Sequence, residues 1–285
     1  MKKLLLRSPA KINLFLKIIN KRPDGYHNLT TLFERISLWD DIELKANSNG
    51  RIKIICEDPH VPLGGKNLCF KAAQLLKKEF RISEGLDIRI KKRIPVAAGL
   101  GGGSSNAATV LLGLNKYWGL HLSFKRLNGF AEALGSDVSF FLYNCSFALG
   151  KGKGEKIEKL NIKTRLWHIL IVPKLKIYTQ EVFEGLKLEL TKSKVNVNIF
   201  IHYLKNSNIY NLRALLFNDL ERRIVDLYPQ LLSLKQKLQN LNELGVSFSG
   251  SGPSLFGLTE SREEAEKLKR KLEKRSQQVF VVSTL

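Results

Sequence analysis

Cysteine is scarce. The chain has three, Cys56, Cys69 and Cys145, an odd number with no CxxC spacing and with apolar neighbours. That excludes a disulfide framework and a paired-cysteine zinc site, and it implies a reducing, cytoplasmic setting. HExxH and clustered His, Asp and Glu are missing too, so no protein-held metal is expected. No apolar run approaches the roughly 18 residues of a membrane span. After Met-Lys-Lys only three leucines precede Arg7, too few for the apolar core of a signal peptide, so no membrane partner is expected. Acidic residues are also few, 26 against 47 Lys and Arg, for a formal charge of +21. Such a charge attracts polyanions and phosphorylated small molecules. The basic residues, however, are spread along every segment rather than gathered in an arm, which reads as a lysine-biased solvated surface and gives no reason to expect a nucleic-acid partner. No internal repeat is present.

What remains is the composition of a globular protein, 44% hydrophobic and 26% charged over 285 residues, long enough for two lobes. Residues 4–17 alternate, with Ile12, Leu14 and Leu16 on one face and Lys11 and Asn13 on the other, as a half-buried strand does. Arg22-Pro-Asp-Gly is a turn, and residues 29–38 and 41–45 resume strand patterns. Residues 67–80 have helical spacing, 86–94 alternate, and 107–114 follow a glycine stretch as a helix. Residues 124–134 read as a helix stopped by Gly135, ahead of a short apolar run opened by Asp137. Later, 167–172 reads as a strand, 215–241 as two helices parted near Pro229, 246–258 as two short strands around Gly250-Ser-Gly-Pro, 263–273 as a surface helix and 280–282 as a strand. The glycine- and charge-rich run Lys-Gly-Lys-Gly-Glu at 151–155 is taken as the domain boundary, giving domains at 1–152 and 153–285. Strands and helices mixed in both halves predict an α+β class.

The richest segment is 95–106, PVAAGLGGGSSN: Pro95, Val96, Ala97, Ala98, Gly99, Leu100, Gly101, Gly102, Gly103, Ser104, Ser105 and Asn106. Four glycines let the backbone curl with its N–H groups inward and approach an anion closely. The helix that follows adds free N–H groups and the positive end of its dipole. Ser104 or Ser105 can cap that helix, donate hydroxyl hydrogen bonds or reach a metal. A Walker A loop is excluded, since the position before the serine is Gly103 and not lysine, and the Rossmann fingerprint fails at its last glycine, which falls on Ser104. The segment reads as a phosphate cradle.

The same segment closely resembles the ATP loop of the GHMP kinases, and within them the branch that phosphorylates the 2-hydroxyl of a cytidine diphosphate sugar alcohol in isoprenoid synthesis. Ser8-Pro-Ala-Lys-Ile-Asn-Leu with Arg22-Pro-Asp-Gly-Tyr-His-Asn-Leu resembles that branch's first motif, Leu134-Gly-Ser-Asp-Val-Ser-Phe-Phe its catalytic segment and Ser247-Phe-Ser-Gly-Ser-Gly-Pro-Ser its third motif; Asn218-Asp-Leu-Glu is similar as well. The resemblance runs from residue 8 to about 257 in order. It implies a two-lobed GHMP kinase fold with an N-terminal ATP-binding lobe and a C-terminal substrate lobe. It implies ATP as phosphate donor, Mg²⁺ carried with ATP and nearest to Ser105, a small-molecule acceptor, and a monomer or weak homodimer.

Residue by residue, the resemblance makes Asp137 the catalytic base, although an Asp after a glycine at the head of an apolar run also reads as a helix cap. Lys11 supplies the charge beside that base, and Asn13 bonds the substrate near its reacting end. Tyr26 and His27 meet the cytosine ring, with Thr179 and Phe183 completing that pocket. Asn67 lies near adenine, and the 250–252 loop lends backbone amides to the floor. Ser139 stands where the family usually has proline, a change expected to affect only the first turn of a helix. Sibling kinases of mevalonate derivatives, homoserine or sugars, and an RNA-binding module, are the alternatives; Tyr26-His27 argues against the siblings, and charge alone accounts for none of these motifs.

Overall fold

The computed structural model describes residues 3–184, 186, 196–241, 244–273 and 277–285. The chain forms two compact units, one of Met1–Ala10, Leu38–Val96 and Gly101–Asn144, the other of Lys11–Ser37, Ala97–Leu100 and Cys145–Leu285. Two long strands, β1 (Lys3–Lys21) and β2 (His27–Asn47), each contribute residues to both units. The two strand patterns foreseen at 29–38 and 41–45 are thus one strand, with Asp40 buried within it.

In the first unit, β3 (Ile52–Cys56) runs parallel to β4 (Gly85–Lys91), and β4 pairs antiparallel with β2 over Asp41–Asn47. The alternation in β4 is the expected one, with Leu86, Ile88 and Ile90 buried. Helix α1 (Leu68–Glu79) connects β3 to β4 and packs against α2 (Gly102–Tyr117), which in turn packs against α3 (Phe124–Leu134) and α4 (Ser136–Leu142). Ala72, Ala73, Ala107, Ala108 and Leu111 are fully buried on α1 and α2, and the four alanines suit close helix packing. The limits of α3 are legible in its ends: Ser123 accepts a hydrogen bond from Arg126 N at the start, and Gly135 follows the last turn.

In the second unit, β5 (Phe147–Gly152) and β6 (Lys156–Leu160) form an antiparallel hairpin, and β5 also pairs with β2 over Leu29–Glu34. The 151–155 run, read as a domain boundary, is the turn of this hairpin. Glycine and charge mark a tight turn as well as a linker, and sequence alone does not separate the two. A four-stranded antiparallel sheet has the order β11 (Gln277–Ser283), β7 (Trp167–Pro173), β10 (Leu255–Thr259), β9 (Gly245–Phe248). Around it lie α5 (Thr179–Glu184), α6 (Val197–Lys205), α7 (Ile209–Leu215), α8 (Glu221–Leu227), α9 (Gln230–Gln239) and α10 (Arg262–Leu272); the two-residue strand β8 (Phe217–Asn218) pairs with β1 at Phe15 and Leu16. Ile169, Ile171, Ile224, Phe248, Leu255 and Leu268 share one core. In α10, Ala265, Leu268 and Leu272 turn inward, each leucine worth about 1.5–3 kcal/mol of burial. Among the described residues no helix is long and apolar enough to cross a membrane.

Candidate functional site

The phosphate-loop segment takes residues from both units. On the first-unit side, buried Asp40 fixes its approach: Oδ1 accepts from Arg93 N at 2.7 Å and Ile94 N at 2.9 Å, while Oδ2 pairs with Lys92 Nζ at 2.6 Å. Pro95 and Val96 follow. Ala97, Gly99 and Gly101 all have positive φ, 54°, 75° and 66°, so every second residue bends the backbone in the way that turns N–H groups inward. Gly101 is the N-cap of α2 and no side chain caps it. Ser104 and Ser105 therefore lie inside the first turn of α2 rather than at its cap, because the helix starts within the glycine run itself. The free N–H groups of that turn remain directed outward along the axis.

Ser105 is fully buried, and its hydroxyl lies 2.8 Å from Ser8 Oγ, which is 2.7 Å from Asn106 Oδ1. Ser8 Oγ is the donor to both Ser105 Oγ and Asn106 Oδ1, so its one proton is shared between two acceptors. Ser105 accepts through one lone pair and keeps its own hydroxyl proton and a second lone pair to offer. Asn67 caps α1, its Oδ1 accepting from Cys69 N at 2.8 Å and its Nδ2 donating to Pro62 O at 2.7 Å. Asp137 is the second residue of α4. The cap there is Gly135, without a side-chain bond, so Asp137 is a first-turn acid and not the cap. Ser139 is fully buried in α4, and its Oγ has no hydrogen-bond partner among the described residues. Burial of the Cys69 thiol pushes its pKa up to about 12, which makes it inert.

In the second unit, Lys11 and Asn13 are 4% and 2% exposed. The strand expected to be half-buried is covered on both faces from Ala10 to Leu16, so its polar residues need internal partners. Lys11 N donates to Leu100 O at 3.0 Å, and Ser249 Oγ donates to Gly99 O at 2.9 Å, so the glycine loop is pinned from two directions. Lys11 Nζ donates to Asn13 Oδ1 at 2.7 Å and lies 5.5 Å from the Phe33 ring centre. A Cβ on Gly250 would lie 3.2 Å from Asn13 Oδ1 and 3.5 Å from Lys11 Nζ. Asn218 Nδ2 sets that approach by donating to Phe248 O at 3.0 Å and Gly250 O at 2.8 Å. Lys11, Asn13, Gly99 and Gly250 are therefore brought together.

The second cluster forms beyond the Arg22–Gly25 turn. Arg22 grips Asp24, and Arg22 N donates to Tyr26 O at 2.8 Å. His27 stacks obliquely on Phe183, ring centres 5.4 Å apart, and Lys153 Nζ sits 4.6 Å from the ring centre of exposed Tyr26. Burial, with Lys21 nearby, holds the His27 imidazole below its ordinary pKa. Thr179 shares a hydrogen bond of 3.0 Å with Ser251. Asp137, Asn67, Ser104 and Ser105 belong to the other unit. Asp40, Thr31 and Asn218 carry much of this geometry, and the motifs single out only the segment holding Asn218; an isolated Asp or Thr in a strand gives no signal before its partners are known.

The GHMP kinases N terminal domain matches residues 67–145 and the GHMP kinases C terminal domain residues 200–277. The chain is 38% identical over 275 residues to the 4-diphosphocytidyl-2-C-methyl-D-erythritol kinase of Pelotomaculum thermopropionicum, covering 96% of each chain. A crystal structure of 4-(cytidine 5'-diphospho)-2C-methyl-D-erythritol kinase superposes with a TM-score of 0.80 at 31% identity, over 98% of this chain and 99% of that one. A homoserine kinase structure from Cytophaga hutchinsonii reaches a TM-score of 0.78 at 21% identity, over 100% of this chain and 95% of that one, a likeness of fold alone. With relatives at this identity over almost its whole length, the chain belongs to the 4-diphosphocytidyl-2-C-methyl-D-erythritol kinase family of GHMP kinases.

Proposed function

We propose that the chain transfers the γ-phosphoryl group of ATP to the 2-hydroxyl of 4-diphosphocytidyl-2-C-methyl-D-erythritol, giving the 2-phosphate and ADP in the non-mevalonate isoprenoid pathway. The observation that carries this reading is the buried Lys11–Asn13 pair set against Gly250 and the loop turn at Gly99 and Leu100. A buried cation beside a backbone able to cradle phosphate suits a reaction whose barrier is lowered chiefly by positioning and charge neutralisation. The acceptor oxygen bonds to the γ-phosphorus, the bond to the β–γ bridging oxygen breaks, and the hydroxyl proton passes to Asp137. Lys11 stabilises the negative charge on the transferring group, and Asn13 orients the acceptor. Residues 95–105 hold the ATP phosphates, with Asn67 shaping the α1 entry on the adenine side.

Mg²⁺ arrives with ATP and neutralises phosphate charge when bound. Among the described residues no three His, Cys, Asp or Glu side chains form a metal-holding group, and Ser105, which accepts from Ser8 and keeps a lone pair, is the oxygen suited to lie nearest the ion. A cytoplasmic monomer or weak homodimer without nucleic acid suits such a catalyst.

Tyr26, His27 and Phe183 form the cytosine pocket, with Thr179 at its border. A neutral imidazole offers one donor and one acceptor to a pyrimidine edge, and the imidazolium loses the acceptor. Since the folded pKa of His27 lies below the ordinary 6.5, the neutral form persists at pH 7 and through 6.5. KM for the cytidine substrate is therefore expected to stay level down to about pH 6.5 and to rise only below it, while KM for ATP does not follow. A limb centred above 6.5 contradicts this. The reading as a whole is tested by coupled ADP release with the purified chain, ATP, Mg²⁺ and the cytidine substrate, beside mevalonate and homoserine. Turnover is expected with the cytidine compound alone; silence there, or faster turnover of mevalonate, overturns it.

A further inference from the structure

We propose that Thr31 is a positioning residue for phosphoryl transfer, acting through Asn13 on Lys11; the proposal rests on the kinase reading above. Thr31 is 1% exposed on β2, facing the two buried polar residues of β1. Its hydroxyl donates its one proton to Phe15 O at 2.8 Å, so its oxygen can only accept from Asn13 Nδ2, at 2.8 Å. That leaves Asn13 Oδ1 toward Lys11 Nζ, 2.7 Å away. The relay has one direction. If the Asn13 amide turned over, its NH₂ would face an ammonium group and its oxygen would face a hydroxyl whose proton is already given to Phe15.

The Thr31 rotamer is itself held. Thr31 pairs with Gly150 of β5, and a Cβ on Gly150 would lie 3.0 Å from the Thr31 methyl and 2.6 Å from the Phe33 ring. The missing side chain at Gly150 thus makes the space into which the methyl packs, and a β-branched residue with its methyl placed has its hydroxyl placed too. Phe33, the other side chain seated on Gly150, carries Lys11 over its ring. One glycine thereby supports both the residue that directs Asn13 and the ring beneath the cation. None of Thr31, Phe33 or Gly150 needs to touch substrate for this to matter. The Lys11 charge acts on the transferring phosphoryl group, whose demand is greatest in the transition state, so a displaced ammonium shows in kcat before KM.

The experiment is steady-state kinetics of the full chain with Thr31→Val, which keeps the shape and removes the hydroxyl, and Thr31→Ser, which keeps the hydroxyl. Thr31→Val is expected to lower kcat by about 10- to 30-fold with both KM values within about 3-fold, and Thr31→Ser to return kcat to within about 3-fold of wild type. Thr31→Ala serves in place of the valine variant if that does not fold. In an Asn13→Ala background Thr31→Val is expected to add no further loss of kcat, because the relay is already cut. With an active wild type, an unchanged kcat in Thr31→Val, a Thr31→Ser as impaired as Thr31→Val, a loss confined to KM, or multiplying effects in the double variant each overturn the proposal alone. A silent wild type overturns the kinase reading and this role together.

Discussion

Asp137→Asn is expected to lower kcat by at least about 10²-fold while leaving both KM values within a few-fold of wild type. Asparagine keeps the size and hydrogen-bonding reach of aspartate but cannot take a proton from the acceptor hydroxyl. The competing role for this residue is local. An acid in the first turn of a helix interacts with the helix dipole, an effect of about 0.3–1 kcal/mol. Side-chain capping is not part of it, since Gly135 holds the cap position of α4 without a side-chain bond. The two roles separate cleanly. A dipole contribution alone lowers the unfolding midpoint slightly and leaves turnover intact, whereas a proton acceptor lowers turnover by far more than stability. An Asp137→Asn enzyme within tenfold of the wild-type kcat, at the pH where wild type turns over, would remove Asp137 from the proton-accepting role.

The elements most legible in the sequence are those whose determinants lie within a few residues. Helix α3 announces both its ends through Ser123 and Gly135, and the glycine loop is readable because positive φ at 99 and 101 leaves little choice of residue type. The fate of Ser104 and Ser105 was less legible, because glycine argues against helix by propensity while α2 starts at Gly102 regardless, held by the packing of its later alanines and leucines. The 151–155 run shows a second limit. Its composition states that the chain turns, and only the pairing of β5 with β6 states that it turns back on itself. Thr31, Asp40 and Asn218 show the third: their roles come from partners 16 to 54 positions away, a separation no local pattern encodes. The catalytic candidates could be named from motifs, as could the segments of Asn218 and Ser249 that hold them, whereas Thr31 and Asp40 could not.

Gly99→Ala is expected to cost about 2–5 kcal/mol of stability and to lower kcat/KM for ATP by one to two orders of magnitude, at 1.4 kcal/mol per tenfold. Two separate terms make up this figure. Gly99 has φ +75°, where an L-residue pays about 1–2 kcal/mol. An added Cβ would lie 2.1 Å from Ser249 O and 3.0 Å from Gly252 O, backbone atoms that cannot swing aside as a side chain would, and overpacking of this kind adds about 1–3 kcal/mol. Relief requires the loop to move off the 249–252 turn. That breaks the hydrogen bond from Ser249 to Gly99 O and disturbs the bond from Lys11 N to Leu100 O, one residue along, so ATP affinity and the Lys11 backbone are affected together. Gly103 provides the contrast within the same glycine run. Its Cβ would meet nothing nearer than Leu68 Cδ1 at 3.9 Å, and it lies inside α2, where alanine is favoured over glycine by roughly 0.5–1 kcal/mol. Chemical denaturation should therefore move in opposite directions for the two substitutions, down for Gly99→Ala and slightly up for Gly103→Ala. Equal effects would mean that the close approach of Gly99 to Ser249 does not govern the loop.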